Sequence, residues 1–189
     1  MNKKNILFIL TGVLILILQF NVKIDNVYID LFNDTLAFIL IIIGGLPLSN
    51  RNVEFKKARN IMILGLFLTI IGQIFSIYNS IKGGNDIIAI YTGFSTIAGI
   101  YFTYYFNEAL VLESQFQEKL AVTRSFKLIW AILGILMFCN FLAIMSGKNM
   151  IIIIVQAITV IYAIYYCSVV LTGCKQLYMD GLPTKHMMK

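Results

Sequence analysis

The sequence predicts an all-α, polytopic membrane protein: six transmembrane helices arranged as three helical hairpins, with the N- and C-termini in the cytoplasm. Three observations predict this fold class: a high apolar content, six long apolar stretches and an uneven distribution of basic residues. Of the 189 residues, 59% are hydrophobic and only 13% are charged, whereas a soluble domain is about half apolar and a quarter charged. The surplus apolar surface is therefore expected to face lipid.

Each of the six apolar stretches has the length that a membrane span requires. A helix rises about 1.5 Å per residue and needs roughly 17–25 residues to cross the hydrocarbon core. Lipid offers no hydrogen bonds to a bare backbone, so such stretches are expected to be helices. The predicted spans cover residues 6–22, 31–48, 61–78, 87–106, 126–145 and 150–171. Because the loops and termini are short, residues 1–189 are expected to form a single domain.

The basic residues predict the orientation of the chain. With the N-terminus inside, only Lys23, Lys82 and Lys148 of the fifteen Lys and Arg fall outside. Basic residues beside spans favour the cytoplasmic side, and they also attract anionic headgroups. The net charge of +6 therefore indicates the lipid bilayer as a partner, and we expect no nucleic acid.

The three predicted hairpins resemble one another. Residues 100–105 and 161–166 share the frame Ile-Tyr-x-x-Tyr-Tyr. In each odd span an amide follows the basic residue at its start by 14 to 16 positions, at Gln19, Gln73 and Asn140. Two explanations remain open. Bilayer depth alone places aromatic and polar residues at matching levels. Alternatively, a triplicated hairpin would give a pseudo-threefold axis along the membrane normal.

Two ionisable residues lie near the ends of predicted spans. A charge inside the bilayer costs at least a few kcal/mol, so such residues are candidates for function. Asp34 fits the first turn of its helix, where free backbone N–H groups favour a carboxylate and Asn33 would cap. Glu108 is expected to be solvated at the cytoplasmic face or paired with Arg124 or Lys127.

The amides and one tyrosine are further polar candidates within the membrane. Gln19, Gln73 and Asn140 would either join helices through cross-bonds worth roughly 0.5–2 kcal/mol each or ring a central cavity. In the second case, Gln156 and Tyr162 would face the same space from the sixth helix.

A cytoplasmic interfacial helix is predicted over residues 108–122. Leu112, Phe116 and Leu120 recur at i, i+4 and i+8, which is typical of an amphipathic helix. This segment would continue the fourth helix along the interface, or it would dock a partner.

Residues with the chemistry of known enzyme motifs are scarce in the sequence. The sole histidine, His186, lies in the C-terminal tail, which leaves no material for His-based metal or triad chemistry. Cys139, Cys167 and Cys174 fall in or beside spans and are interpreted as small apolar fillers. No glycine-rich phosphate loop is present. The sequence therefore predicts a protein that is not an enzyme and takes no cofactor or metal.

The second span and its following loop resemble a known group of proteins. Residues 34–44 read Asp-Thr-Leu-Ala-Phe-Ile-Leu-Ile-Ile-Ile-Gly, and residues 55–59 read Phe-Lys-Lys-Ala-Arg. They resemble a group of small multi-span membrane proteins of Gram-positive bacteria that has no assigned activity. That group is marked by Leu-Pro-Asp-Phe-Ile-Gly-Tyr-Ile-Leu-Ile-Tyr-Ile-Gly and a basic loop. Asn33 and Ala37 stand where the group has Pro and its first Gly. The resemblance implies a multi-pass protein of the bacterial cytoplasmic membrane.

Three functions are compatible with these observations. Short loops and small-residue helix faces, such as Ser95-x-x-x-Gly99, favour a non-enzymatic accessory or regulatory membrane protein acting through partner helices. Its partners would be other membrane proteins or a second copy of the chain. The repeat and the amides favour a small-solute transporter or permeation subunit. A membrane-embedded enzyme using Asp34 or Glu108 lacks a second catalytic group nearby in the sequence.

Overall fold

The computed structural model describes residues 3–18, 21–24, 27–30, 34–82, 87–146 and 149–178. Within these ranges the chain forms six α-helices, one short 3-10 helix and a two-stranded antiparallel sheet. The elements are α1 (Lys3–Ile17), β1 (Asn21–Ile24), β2 (Val27–Asp30), α2 (Asp34–Gly45), the 3-10 helix (Leu46–Leu48), α3 (Val53–Lys82), α4 (Ile87–Phe116), α5 (Leu120–Ser146) and α6 (Asn149–Tyr178). The six helices confirm the all-α class.

The β-hairpin corrects the predicted bounds of the first two spans. The expected helix over residues 6–22 ends at Ile17, and Asn21 instead pairs with Asp30 across the hairpin. The physical reason lies in the local pattern, because β-branched residues alternate with polar ones through β1, as suits a strand rather than a helix. As a result α1 is 15 residues long, or about 22 Å, and does not reach the predicted length of a full span.

Among the described residues, three helices are long and apolar enough to cross a membrane. They are the segments Val53–Phe75 of α3, Leu120–Ile144 of α5 and Met150–Tyr178 of α6, while Asp34–Leu48 is apolar but shorter. These segments support the membrane character that the sequence predicts.

Successive helices pack as antiparallel neighbours. Ala37 and Ile41 of α2 lie against Gly12 of α1, whereas Gly44, later in α2, lies against Asn5, earlier in α1. In α5 and α6, Phe126 packs on Gly173. Helix α6 returns to contact α1, so the six helices form a closed ring, and α1 also contacts α4 across it.

The junction between α4 and α5 corrects the predicted interfacial helix over residues 108–122. Helix α4 continues without a break to Phe116, and α5 begins at Leu120. Between them Glu118 takes a left-handed conformation with φ of 58°. The Glu118 N–H bonds the carbonyl of Gln115 and the Lys119 N–H bonds that of Ser114, which is the Schellman pattern of a helix end. Leu112 and Phe116 therefore belong to α4 and Leu120 belongs to α5, with a tight turn between them.

Candidate functional site

The buried carboxylate of Asp34 lies inside the helix ring. Asp34 is the first residue of α2 and is 3% exposed. The Ser95 hydroxyl of α4 donates a hydrogen bond to Asp34 Oδ2 at 2.5 Å. Ser95 stands eight residues into α4, about 12 Å from its first turn. Helix α2 thus begins within the depth of α4, which places the positive end of its dipole beside the carboxylate.

A small cavity adjoins this pair where α1, α4, α5 and α6 meet. Its volume is about 10 Å³, which is close to the space of one water molecule. Leu16 and Ile17, at the end of α1, form part of its apolar wall. The polar wall consists of Ser95 and Thr96 of α4, Asn140 of α5 and Thr159 of α6.

The polar atoms around this cavity have a common orientation. The Ser95 hydroxyl directs its proton to Asp34, and the Thr159 hydroxyl donates to the backbone oxygen of Val155 at 2.8 Å. Asn140 is 4% exposed, and its Oδ1 has no hydrogen-bond partner within the described part of the chain. The Ser95 and Thr159 oxygens therefore keep lone pairs for an acceptor role, and Asn140 adds an amide oxygen. We call Asp34, Ser95, Asn140 and Thr159 the oxygen cluster.

The predicted ring of amides is brought together only in part. Asn140 lines the cavity, whereas Gln73 is half-buried on α3 and does not line it. Gln19 lies outside the described residues. Gln156 and Tyr162 do not line this cavity: Gln156 lines a groove with Leu18, the residue after α1, while the Tyr162 hydroxyl donates to the backbone oxygen of Ile129 at 3.4 Å.

Glu108 is half-buried on α4 and forms no ion pair among the described side chains. The predicted pairing with Arg124 or Lys127 is therefore not seen there. Glu113, one and a half turns later, pairs instead with Arg51 at 3.7 Å.

The end of the ring where α3 begins is held by contacts that the sequence analysis did not name. The Phe55 N–H bonds Asn52 Oδ1 at 3.0 Å, so Asn52 caps α3, and its Nδ2 donates to the Ala109 oxygen of α4 at 3.2 Å. The guanidinium of Arg51 lies 4.8 Å from the centre of the Tyr178 ring. Asn52 stands directly before the helix, which is the position where a capping residue is preferred. These contacts have a structural role.

Ser95, Thr96 and Thr159, which line the cavity, were not predicted as site residues. A threonine within a helix commonly bonds the carbonyl one turn earlier, as Thr159 does here. Such residues carry no distinctive sequence signal, and only the packing of α6 against α5 reveals that Thr159 reaches the cavity.

Other chemistry is limited in the described ranges. They contain no group of three or more His, Cys, Asp or Glu side chains that could hold a metal ion. Cys139 is exposed, whereas Cys167 and Cys174 are buried. The chain matches none of the protein-family models, curated proteins or solved structures with which we compared it.

Proposed function

We propose that this chain is a multi-pass protein of the bacterial cytoplasmic membrane, with all six helices in the bilayer and both termini inside. Helices α1, α2 and α4 close a ring with the three helices that are long and apolar enough to span. Because the shorter helices pack against the long ones in one ring, all six helices are expected to lie in the same bilayer. The basic starts of α1, α3 and α5 fall at one end of this antiparallel ring, in keeping with the positive-inside rule.

We further propose that the protein is a non-enzymatic accessory or regulatory protein that acts through contacts with other membrane helices. The observation that carries this proposal is the dense interior of the ring. Where four helices meet, the cavity holds about 10 Å³, too little for a solute larger than water. By contrast, α3 presents large apolar side chains outward at i, i+4 and i+7, at Phe67, Ile71 and Ile74. A partner helix or lipid would lie on that face.

Purification in mild detergent from native membranes tests the accessory role. We expect a membrane protein to co-purify in stoichiometric amount, as measured by mass spectrometry. Ile71→Trp should weaken that association, whereas Ile161→Trp on the exposed face of α6 serves as the matched control. A monomer that carries no partner, or equal loss with both variants, would contradict the proposal.

The second candidate is a small-solute transporter or permeation subunit. The buried Asp34 beside the cavity favours it, because ionisable groups at this depth often mark ion or substrate paths. Flux in liposomes that falls in Gln73→Leu and Asn140→Leu would support this candidate. Flux equal to that of empty liposomes would reject the transporter candidate in favour of the accessory role.

A further inference from the structure

A groove between α5 and α6 opens at the end of the ring where α5 begins. Its volume is about 330 Å³, at the lower end of the range of ligand pockets, about 300–1,000 Å³. Small side chains line it, among them Ala121 and Ser125 of α5 and Thr172 of α6. Phe126 packs on Gly173 where the two helices meet. This α5–α6 groove therefore offers room for a narrow ligand such as one acyl chain.

The charge around the α5–α6 groove is positive. Residues 119–178 contain no Asp or Glu. Arg124 of α5 and Lys175 of α6 are exposed and form no ion pair within the described part of the chain. Glu118, in the turn before α5, is followed at once by the opposite charge of Lys119. An occupant of the groove is therefore expected to carry a negative charge.

Arg124 and Lys175 lie beside the groove and at about the same level. Each stands three positions after a residue that lines the groove, and residues at that spacing are neighbours on a helix surface. Arg124 precedes Phe126 by two residues, and Lys175 follows Gly173 by two. Because the helices are antiparallel, both lie about 3 Å from the Phe126–Gly173 contact in the same direction. A phosphate between them would meet a guanidinium, which binds phosphate in a bidentate manner, and an ammonium group.

The position of the groove and its charge favour a lipid as the occupant. The groove is formed by the start of α5 and the end of α6. In the proposed orientation it opens at the cytoplasmic headgroup level, where basic residues attract anionic lipids. A second copy of this chain, packed through the same groove, would bring its own Arg124 and Lys175 against these two, and like charges repel. An anionic phospholipid matches both the charge and the narrow apolar space.

We propose that the α5–α6 groove binds one anionic phospholipid, with its phosphate between Arg124 and Lys175 and an acyl chain along the small side chains. The phosphate pairs with two basic groups that have no acidic partner among the described residues, and the chain covers apolar surface between the helices. This inference rests on the proposed placement of the helices in the bilayer. It does not require the accessory role, because lipid binding does not depend on a partner protein.

Thermal unfolding of the full-length protein in mild detergent tests the site. The midpoint is compared with added phosphatidylglycerol, with phosphatidylcholine of the same acyl chains and with glycerol 3-phosphate. We expect phosphatidylglycerol at about ten times its dissociation constant to raise the midpoint by roughly 3–6 °C relative to phosphatidylcholine. Equal midpoints with the two lipids would overturn the proposal. An equal rise with glycerol 3-phosphate would also overturn it, because the site would then take a soluble anion rather than a lipid.

Two double variants separate the groove from general attraction between charges. Arg124→Gln with Lys175→Gln removes both basic side chains beside the groove and should abolish the rise with phosphatidylglycerol. Lys56→Gln with Lys127→Gln is the matched control, because it removes two exposed positive charges at the same end of the ring. At 3.6 residues per turn, Lys127 lies on the side of α5 away from the groove. The control should keep the rise, and equal loss in both double variants would contradict the assignment.

A single variant tests the acyl chain without changing any charge. Thr172→Phe fills the groove from its exposed side, and the Thr172 hydroxyl bonds the Ser168 oxygen of its own helix. We expect the rise to be lost in Thr172→Phe. Ile164→Phe, at an exposed position earlier in α6 that does not line the groove, should keep it. A rise that survives Thr172→Phe would contradict binding within the groove.

Native mass spectrometry of the wild type supplies a second measurement in case the variants do not fold. The protein is released from detergent that contains equal amounts of phosphatidylglycerol and phosphatidylcholine of different mass. We expect one phosphatidylglycerol to stay bound in preference to phosphatidylcholine. Equal retention of the two lipids would overturn the site even if the helices span the bilayer, which labelling of introduced cysteines tests separately.

Discussion

At the scale of single residues, the hydrogen bond from Ser95 to Asp34 helps to stabilise a carboxylate inside the helix ring. The bond joins two side chains that are both buried and lie 61 positions apart in the sequence. Hydrogen bonds to charged groups are about twice as strong as those between neutral groups, and a buried charge that loses a donor is destabilised strongly. The Ser95 hydroxyl is therefore expected to contribute to the stability of the site.

Replacing Ser95 should reveal that dependence. We expect Ser95→Ala to lower the free energy of unfolding by about 2 kcal/mol, which corresponds to a fall in the unfolding midpoint of roughly 4–8 °C. Ser125→Ala is the matched control, because within the described part of the chain the exposed Ser125 hydroxyl bonds just the Ala121 carbonyl of its own helix. An equal fall in both variants would show that the Asp34 contact adds no stability of its own.

Asn140 leads to the opposite expectation. Its Oδ1 is buried and has no partner among the described residues, and such an atom costs about 1–3 kcal/mol. Asn140→Leu should therefore unfold at the same temperature as the wild type or higher. A marked fall in the midpoint measured by thermal unfolding would indicate that Asn140 makes a stabilising contact.

At the scale of elements, α1 and α2 are held together by a close approach of their backbones. A Cβ built on Gly44 would fall on the Asn5 backbone oxygen at 2.4 Å, whereas a Cβ on Gly45 would meet nothing within 4 Å. Because the obstacle at Gly44 is backbone, the two helices would have to separate.

The two adjacent glycines form a matched pair of variants. We expect Gly44→Ala to lower the free energy of unfolding by about 1–3 kcal/mol, as overpacking typically does. Gly45→Ala should be neutral or slightly stabilising, since alanine restricts the unfolded chain. Thermal unfolding in detergent measures both, and equal midpoints for the two variants would contradict the close contact.

The turn between α4 and α5 offers a gain in stability. Glu118 holds a left-handed conformation, which costs a residue with a Cβ about 1–2 kcal/mol and costs glycine little. Glu118→Gly should therefore raise the unfolding midpoint. Ala131→Gly, at an exposed position within α5, should lower it, because glycine costs about 1 kcal/mol within a helix. A lower midpoint for Glu118→Gly would show that its side chain is needed.

At the scale of the whole molecule, the six α-helices form one antiparallel ring and run along a common direction. The apolar faces of α3, α5 and α6 point outward, while the oxygen cluster lies inside. Such an arrangement suits a bilayer, which offers no partner to a buried carboxylate. The proposed orientation follows from the basic residues at one end of the ring.

Labelling of single introduced cysteines tests this orientation. In whole cells, a membrane-impermeant maleimide should label Lys148→Cys, which is predicted to lie outside. It should label Lys185→Cys in the C-terminal tail only after the cells are made permeable. The wild type, with its native cysteines, gives the background, and labelling of Lys185→Cys in intact cells would reverse the topology.

Much of the secondary structure could be predicted from the sequence. The lengths of the apolar stretches indicate the six helices and their pairing, because hydropathy is a local property of the chain. The early end of α1 was predictable in principle from the alternating pattern of residues 21–24, but the apolar run before it obscured that signal. The turn at Glu118 was not predictable, since the spacing of Leu112, Phe116 and Leu120 fits one continuous helix.

By itself the sequence determined that the chain is helical and contains segments apolar enough to cross a membrane. Only the tertiary structure decided which polar residues meet. Asp34, Ser95, Asn140 and Thr159 come from four different helices, and each reaches the cluster only if its helix has the right rotation and depth. Both are set by packing, as at Gly12 and Gly44, because contacts between distant parts of the chain fix how each helix turns about its axis.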